Sequence, residues 1–173
     1  VMLIHNKKLS VVPITTHVDI KKISKHINRA LIINKVSSLS NCYKKLFKKK
    51  PKIAILGLNP HNSELVKYSE EKKIIIPSIK KLKKLGLNIN GPFVADTFFM
   101  EIFKEYDVVV GMYHDQVLSP FKAMFKFNAI NLTLGLNYLR ASPDHGPAIN
   151  LIKKNKANYS SLLECVRFFN FLN

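Results

Sequence analysis

No apolar run in this chain is long enough to cross a bilayer. The segment Ile74–Pro77 is short, and lysines flank it on both sides. The opening VMLIHNKKLSVVPI lacks a basic start, a long apolar stretch and a small-residue cleavage site, so no secretory leader is expected. It begins with Val rather than Met and reads as the interior of an apolar segment, so the chain is taken as a fragment or one half of a split protein. Cysteine is scarce. Cys42 and Cys165 stand far apart with no metal-type spacing, and they read as reduced thiols of a cytoplasmic protein. Acidic side chains are few as well, 11 against 28 Lys and Arg, which leaves a net charge of +17. A positive field of that size favours phosphate-bearing partners, nucleic acid among them. Yet aromatics do not alternate with the lysines, and no helix-turn-helix or RNA-binding signature is present. Asn and Ile are abundant alongside Lys, as a composition bias toward AT-rich codons would make them. Solvated lysine faces are therefore the favoured reading, with neither a nucleic-acid nor a membrane partner expected.

Apolar residues make up 47% of the 173 positions and are spread along the whole length, enough for one domain with a substantial core. Short apolar runs at 9–14, 53–56, 108–110 and 129–134 predict strands. Helical spacing predicts helices over 19–35, 42–49, 69–85 and 160–172. Pro77 is expected to kink or break the third of these, and Asn90-Gly91-Pro92 reads as a turn. Strands alternating with helices argue for an α/β fold with a mostly parallel sheet. In such sheets ligands bind at the loops leaving the carboxyl ends of the strands.

Four polar clusters fall at or just after those strands: Thr15–His17, Gly57–His61, Met112–Gln116, and Asn131 through Arg140 to Gly146. His17, His61 and His114 hold matching post-strand positions and could ligate one divalent metal. Each alone is as well read as a surface or core histidine. His5 and His26 look like ordinary surface residues. Lys122 and Arg140 stand apart from the lysine runs, beside polar loops, where a fixed cation can hold a phosphate or carboxylate. Plain surface charge is the competing reading.

The motifs TTH at 15–17, GLNPH at 57–61, NGPFVADT at 90–97, MYHDQ at 112–116, NLTLGL at 131–136 and SPDHGPA at 142–148 resemble the 4-hydroxythreonine-4-phosphate dehydrogenase family, in order and spacing. The resemblance covers nearly all of residues 1–173, read as one fragment spanning the C-terminal half of a two-domain protein. It implies a three-layer α/β/α fold like that of isocitrate and isopropylmalate dehydrogenases, with the N-terminal half missing. It also implies a homodimer with the active site at the interface. The family metal (Zn, Mg or Co) maps onto His17, His61 and His114. Substrate contacts map onto Lys122, Asn131 and Arg140, and nucleotide contacts, for NAD or NADP, onto Asp144, His145 and Gly146. Asp96 and Asp115 match acidic positions with supporting or proton-transfer roles.

The implied reaction is oxidation of the phosphorylated hydroxy-amino acid 4-phosphooxy-L-threonine. The isolated chain is expected to turn over little, since part of the substrate pocket lies upstream. Two departures stand out: Asn62–Tyr68 replaces a glycine-rich stretch, and 149–155 replaces an acidic, glycine-containing one. A related dehydrogenase of another diol or hydroxy acid, and an inactive fragment, remain alternatives. Lys122 and Arg140 are expected to point into the same cleft as His114, with Pro120 opening a short helical turn before Lys122.

Overall fold

The chain folds as β1 (Met2–Asn6), β2 (Leu9–Pro13), α1 (Ile23–His26), α2 (Arg29–Phe47), β3 (Ile53–Leu56), α3 (Ile76–Lys84), β4 (Ile89–Phe93), α4 (Ala95–Phe98), β5 (Val108–Gly111), α5 (His114–Phe125), β6 (Ile130–Thr133), β7 (Arg140–Pro143) and α6 (Ser160–Leu172). The structure is a computed structural model describing residues 1–146, 149–152, 154 and 156–172. Pro147 and Ala148 of the SPDHGPA motif, and Lys153 and Asn155 of the loop after it, lie outside the described residues, as does Asn173.

β2, β3 and β5 are buried along their whole length, as strands must be when helices cover both faces of a sheet. The seven strands order as β4-β3-β5-β2-β1-β6-β7. β4, β3, β5 and β2 are mutually parallel, whereas β1, β6 and β7 join through antiparallel pairs. β6 is antiparallel to β1, which is antiparallel to β2, so β2 to β6 share one direction and only β1 and β7 oppose it. One face packs against α2, α3 and α6 through Ile32, Val36, Leu39, Ile79, Leu82, Cys165 and Phe168. The other packs against α4 and α5 through Phe98, Val117, Leu118 and Phe121. These three layers are the α/β/α architecture that the resemblance implies.

Local boundaries differ from the sequence reading in instructive places. A helix over 19–35 and another over 42–49 become a short α1 and one 19-residue α2. Asn28 makes the break: its side chain accepts the Leu31 N–H at 2.9 Å and caps α2. The helix then runs through the polar 37–41 stretch because Val36, Leu39 and Tyr43 keep a buried stripe. Asn90-Gly91-Pro92 is part of β4 rather than a turn. Gly91 has φ of 135°, and a Cβ there would meet the Ile55 carbonyl oxygen at 2.3 Å, so the pairing of β4 with β3 requires glycine. At Pro77 the expected break is present, as a π-turn over Glu71–Ile75 giving way to α3. Pro120 does not open a helix. It lies inside α5, which begins at His114, because buried Val117, Leu118 and Phe121 hold that helix on the sheet at more than the cost of one missing N–H.

Candidate functional site

The strand order decides where the histidines go. The carboxyl ends of β3, β5 and β2 lie side by side, and the loops leaving them carry His61, His114 and His17 in that order. Neighbouring strands are about 4.8 Å apart. The loops are tied together by polar clamps. Thr15 Oγ1, buried, donates to the Met112 carbonyl at 2.8 Å. Gln116 Oε1 accepts the Met112 N–H at 2.6 Å, and its Nε2 donates to the Gly57 carbonyl at 2.6 Å. Gln116 thus bridges the His114 loop to the His61 loop across 59 residues of sequence.

Glu71 completes the set. It is fully buried, and its Oε1 accepts the N–H groups of Leu58 and Asn59, each at 2.9 Å. The Asn59 amide side chain donates to it as well. Burial pushes the Glu71 carboxyl up, but the bonds from Asn59 and Leu58 outweigh burial and hold its pKa below the ordinary 4.5. Sequence reading placed Glu71 only within the helix over 69–85. Its role as a clamp on the GLNPH loop depends on a fold-level contact, and its one sequence signal is an acid just beyond a polar loop.

Residues His61 to Leu65 all have positive φ, between 46° and 57°. This is a left-handed turn in the stretch where the family resemblance implies glycines. Each non-glycine residue costs roughly 1–2 kcal/mol in that region. Asn62 has a structural use there: its Nδ2 donates to the Pro92 carbonyl at 3.1 Å, and its side chain occupies the space a Cβ on Gly57 would need. Ser63 and Glu64 have no such use. Replacing either with glycine is expected to raise unfolding free energy by about 1 kcal/mol, read as a higher midpoint in urea. An unchanged or lowered midpoint would show that the turn is not left-handed in solution.

His17 and His114 are neighbours, with ring centroids 6.0 Å apart. Together with Tyr113, Asp115 and Ile20 they line a cleft of about 240 Å³. His114 Nδ1 lies 2.7 Å from Asp115 Oδ1, which leaves Nε2 outside that contact. His61 instead faces Asp96, with Nε2 to Oδ2 at 3.6 Å. Among the described residues no three His, Cys, Asp or Glu side chains come together as a metal site. The donor chemistry suits a divalent transition metal. Of the three histidines expected to hold it, His17 and His114 are neighbours within this chain.

The residues expected to hold substrate share one face of the sheet. Asn131 lies opposite Ile4 and Ser142, and Thr133 opposite Met2 and Arg140, so their side chains emerge on the α5 side, where Ile4 is packed. Asn131 Oδ1 is buried without a hydrogen-bond partner among the described residues. Lys122 donates to the Asp144 carbonyl at 2.6 Å, with Asp144 Oδ2 at 3.5 Å. Burial raises the Asp144 pKa, opposed by the Lys122 ammonium beside it.

Arg140 departs from expectation. It is exposed, donates to Thr133 Oγ1 at 2.9 Å, and stands on the edge strand, three strands from β2. Gly135, at φ of 90°, lets the chain turn back on β6, and that places Arg140 at the margin rather than beside His114. Of the nucleotide residues, Asp144 turns inward to Lys122, while His145 and Gly146 are exposed.

A larger groove, about 830 Å³, lies at the opposite end of the sheet between α2 and α6. His5 forms part of its wall, between Phe47 and Phe168, and burial depresses its pKa to about 4. Size alone would favour this groove as the site. The convergent polar loops, however, are all at the carboxyl ends of the parallel strands, and that chemistry outweighs volume.

A layered α/β sheet with its polar groups gathered on those loops is the arrangement of a ligand-binding α/β domain. The chain belongs to the PdxA family: the family described as pyridoxal phosphate biosynthetic protein PdxA matches residues 1–169. It is 44% identical over 167 residues to a 4-hydroxythreonine-4-phosphate dehydrogenase of Sulfurihydrogenibium sp., covering 95% of this chain and 52% of that relative. It is 32% identical over 163 residues to a D-threonate 4-phosphate dehydrogenase of Pectobacterium atrosepticum, covering 93% of this chain and 50% of the relative. A crystal structure of 4-hydroxythreonine-4-phosphate dehydrogenase from Klebsiella pneumoniae superposes with a TM-score of 0.83 at 29% identity, covering 96% of this chain and 51% of that one. The chain spans about half the length of the curated relatives it matches.

Proposed function

We propose that this chain is the metal- and substrate-bearing half of a dehydrogenase that oxidises 4-phosphooxy-L-threonine to 2-amino-3-oxo-4-phosphooxybutanoate. That β-keto acid then loses carbon dioxide to give 3-amino-2-oxopropyl phosphate, in pyridoxal phosphate biosynthesis. The observation that carries the reading is that Asn131 and Arg140 emerge on the side of the sheet covered by α5, the helix of Lys122, with an unpartnered buried oxygen on Asn131. Lys122 and Arg140 bind the phosphate and carboxylate of the substrate, and Asn131 uses its free oxygen to accept from a substrate donor. His17, His61 and His114 hold a divalent ion such as Zn, Mg or Co, His61 joining the other two in the complete assembly. Asp115 orients His114, and Asp96 orients His61 or takes up a proton. His145 and Gly146, with Asp144, face the nicotinamide nucleotide, NAD or NADP. When bound, the metal favours loss of the alcohol proton at neutral pH and the nicotinamide accepts the hydride. A homodimer with the site at its interface, a cytoplasmic location, and low turnover by this chain alone belong to the same reading.

In an enzyme completed with the other half, Arg140→Lys is expected to raise KM for the phosphorylated substrate at least about tenfold, because one ammonium cannot reproduce a bidentate guanidinium. Lys83→Ala, on an exposed lysine run, should leave KM within about twofold at ordinary salt. Equal small effects would mean a diffuse basic field rather than a built anion site. The relative named for D-threonate 4-phosphate supports a second reading, a phosphorylated hydroxy acid without the amino group. A comparison of kcat/KM for the two substrates separates them.

A further inference from the structure

We propose that the groove between α2 and α6 is a binding site for a small aromatic ring that carries a phosphate, separate from the loops that hold His17 and His114. The inference does not rest on the proposed reaction. The groove lies where the parallel strands begin, and its volume of about 830 Å³ falls in the range of roughly 300–1,000 Å³ typical of small-molecule pockets. Its wall is aromatic. The ring centroids of His5 and Phe47 are 4.8 Å apart, those of His5 and Phe168 5.8 Å, and those of Phe47 and Phe168 6.0 Å. Tyr43 lies 4.4 Å from Phe47. Rings attract one another at such spacings in tilted or offset pairs, so this wall suits a further ring.

Two polar groups in that wall lack partners. Tyr43 is only 7% exposed, and its hydroxyl makes no hydrogen bond among the described residues. A buried hydroxyl is normally satisfied. Burial, with the charge of Asp107, pushes the Tyr43 pKa up to about 12, so the hydroxyl keeps its proton and is a donor at neutral pH. His5 Nδ1 lies 2.8 Å from Ser10 Oγ, which leaves Nε2 outside that contact. Burial keeps that ring uncharged at neutral pH. A ring ligand with polar atoms on its rim would meet both groups.

Charge at the mouth selects the other half of the ligand. Of the basic residues there, Lys49 pairs with Asp107 at 2.7 Å and Arg167 with Glu164 at 2.6 Å. Lys7 and Lys8 have no carboxylate partner among the described residues. Their turn is held in place: Asn6 Nδ2 donates to the Asn128 carbonyl at 2.5 Å, and Asn6 Oδ1 accepts the Lys8 N–H at 2.9 Å. Two adjacent ammonium groups suit a phosphomonoester, which carries about −1.5 to −2 at pH 7. They disfavour a metal cation, and a second copy of so basic a chain would be repelled. Free phosphate would leave the aromatic wall unused, and a neutral ring would leave the lysines unused. A phosphorylated pyridine and a nucleoside monophosphate share the chemistry that uses all three features.

Isothermal titration calorimetry of this chain separates these sources. The probes are pyridoxine 5′-phosphate, adenosine 5′-monophosphate, pyridoxine and inorganic phosphate. Pyridoxine 5′-phosphate has no aldehyde to condense with lysine. We expect at least one ring phosphate to bind about tenfold or more tighter than inorganic phosphate or pyridoxine, and the tighter of the two identifies the source. Tyr43→Phe, which removes one hydroxyl and keeps the ring, is expected to weaken it about three- to tenfold, and Lys7→Ser with Lys8→Ser about tenfold. Arg140→Lys should leave it unchanged, which separates this groove from the proposed substrate site. Thermal melts of the variants should stay within a few degrees of the parent. A ring phosphate that binds no tighter than inorganic phosphate overturns the proposal. So does binding that Tyr43→Phe leaves unchanged, which would make the lysines a diffuse field. Binding lost in Arg140→Lys but kept in the groove variants also overturns it, by placing the ligand at the other end of the sheet. No result depends on turnover, so failure of the catalytic reading leaves the test intact.

Discussion

Glu71→Ala is expected to cost about 3 kcal/mol of stability and to loosen the His61 loop before the rest of the sheet. Its buried carboxylate accepts from Leu58 N–H, Asn59 N–H and the Asn59 side chain. Removing the acceptor leaves those part-buried donors without a partner, at about 1–3 kcal/mol for each one left dry. Urea unfolding gives the energy, and amide hydrogen exchange at Leu58 and Asn59 locates it. Exchange that rises equally throughout the sheet would mean Glu71 supports the whole core and not this loop. The same contact predicts a pH dependence. The folded-state pKa of Glu71 lies below its unfolded value. Its contribution is therefore present above the unfolded pKa, about 4.3, and is lost as pH falls through the lower folded value. Glu71→Gln should flatten that acid limb. A limb of unchanged slope would assign the acid sensitivity to other carboxylates.

Asp115→Asn is expected to weaken divalent-metal binding by about 10–100-fold, the usual cost of losing the group that orients a histidine ligand. Asp115 Oδ1 sits 2.7 Å from His114 Nδ1. A carboxylate there keeps the proton on Nδ1 and the Nε2 lone pair toward the cleft shared with His17. An amide can present its NH2 group to that nitrogen and favour the wrong tautomer. His114→Ala and His17→Ala should be more severe. Cobalt(II) titration followed by visible absorption measures all four proteins without substrate or nucleotide. Binding by Asp115→Asn equal to the parent would remove His114 from the ligand set or leave it oriented by another group. Tight binding that survives His17→Ala would dissolve the pairing with His114 seen across 6.0 Å.

Much of this layout was legible before any coordinates. Ile53–Leu56 and Val108–Val110 could be placed as buried strands because a parallel strand covered on both faces must be apolar throughout, and that is a local property. The polar clusters after them could be placed at one end of a sheet because parallel strands send their carboxyl ends the same way. The helix over 160–172 was legible for the same reason, from its spacing alone. Boundaries that depend on single side chains were harder. Asn28 caps one helix and ends another only once α2 is packed, and Gly91 looks like a turn residue until Ile55 lies beside it.

What the amino-acid order determined by itself was the kind of fold and the candidates for the site: the histidines, Lys122, Asn131, Arg140 and the loops that carry them. Tertiary structure decided which of these meet. It brought His17 to His114 and left His61 with Asp96. It moved Arg140 to the margin by ordering β6 and β7 outside β1, turned Asp144 inward to Lys122, and made Glu71 and Gln116 the ties between loops. The physical reason is range. Periodicity and turn chemistry act over a few residues and are written in each segment. Strand order and the hydrogen bonds that cross it join residues up to 97 apart at these loops, and only packing the whole sheet selects them.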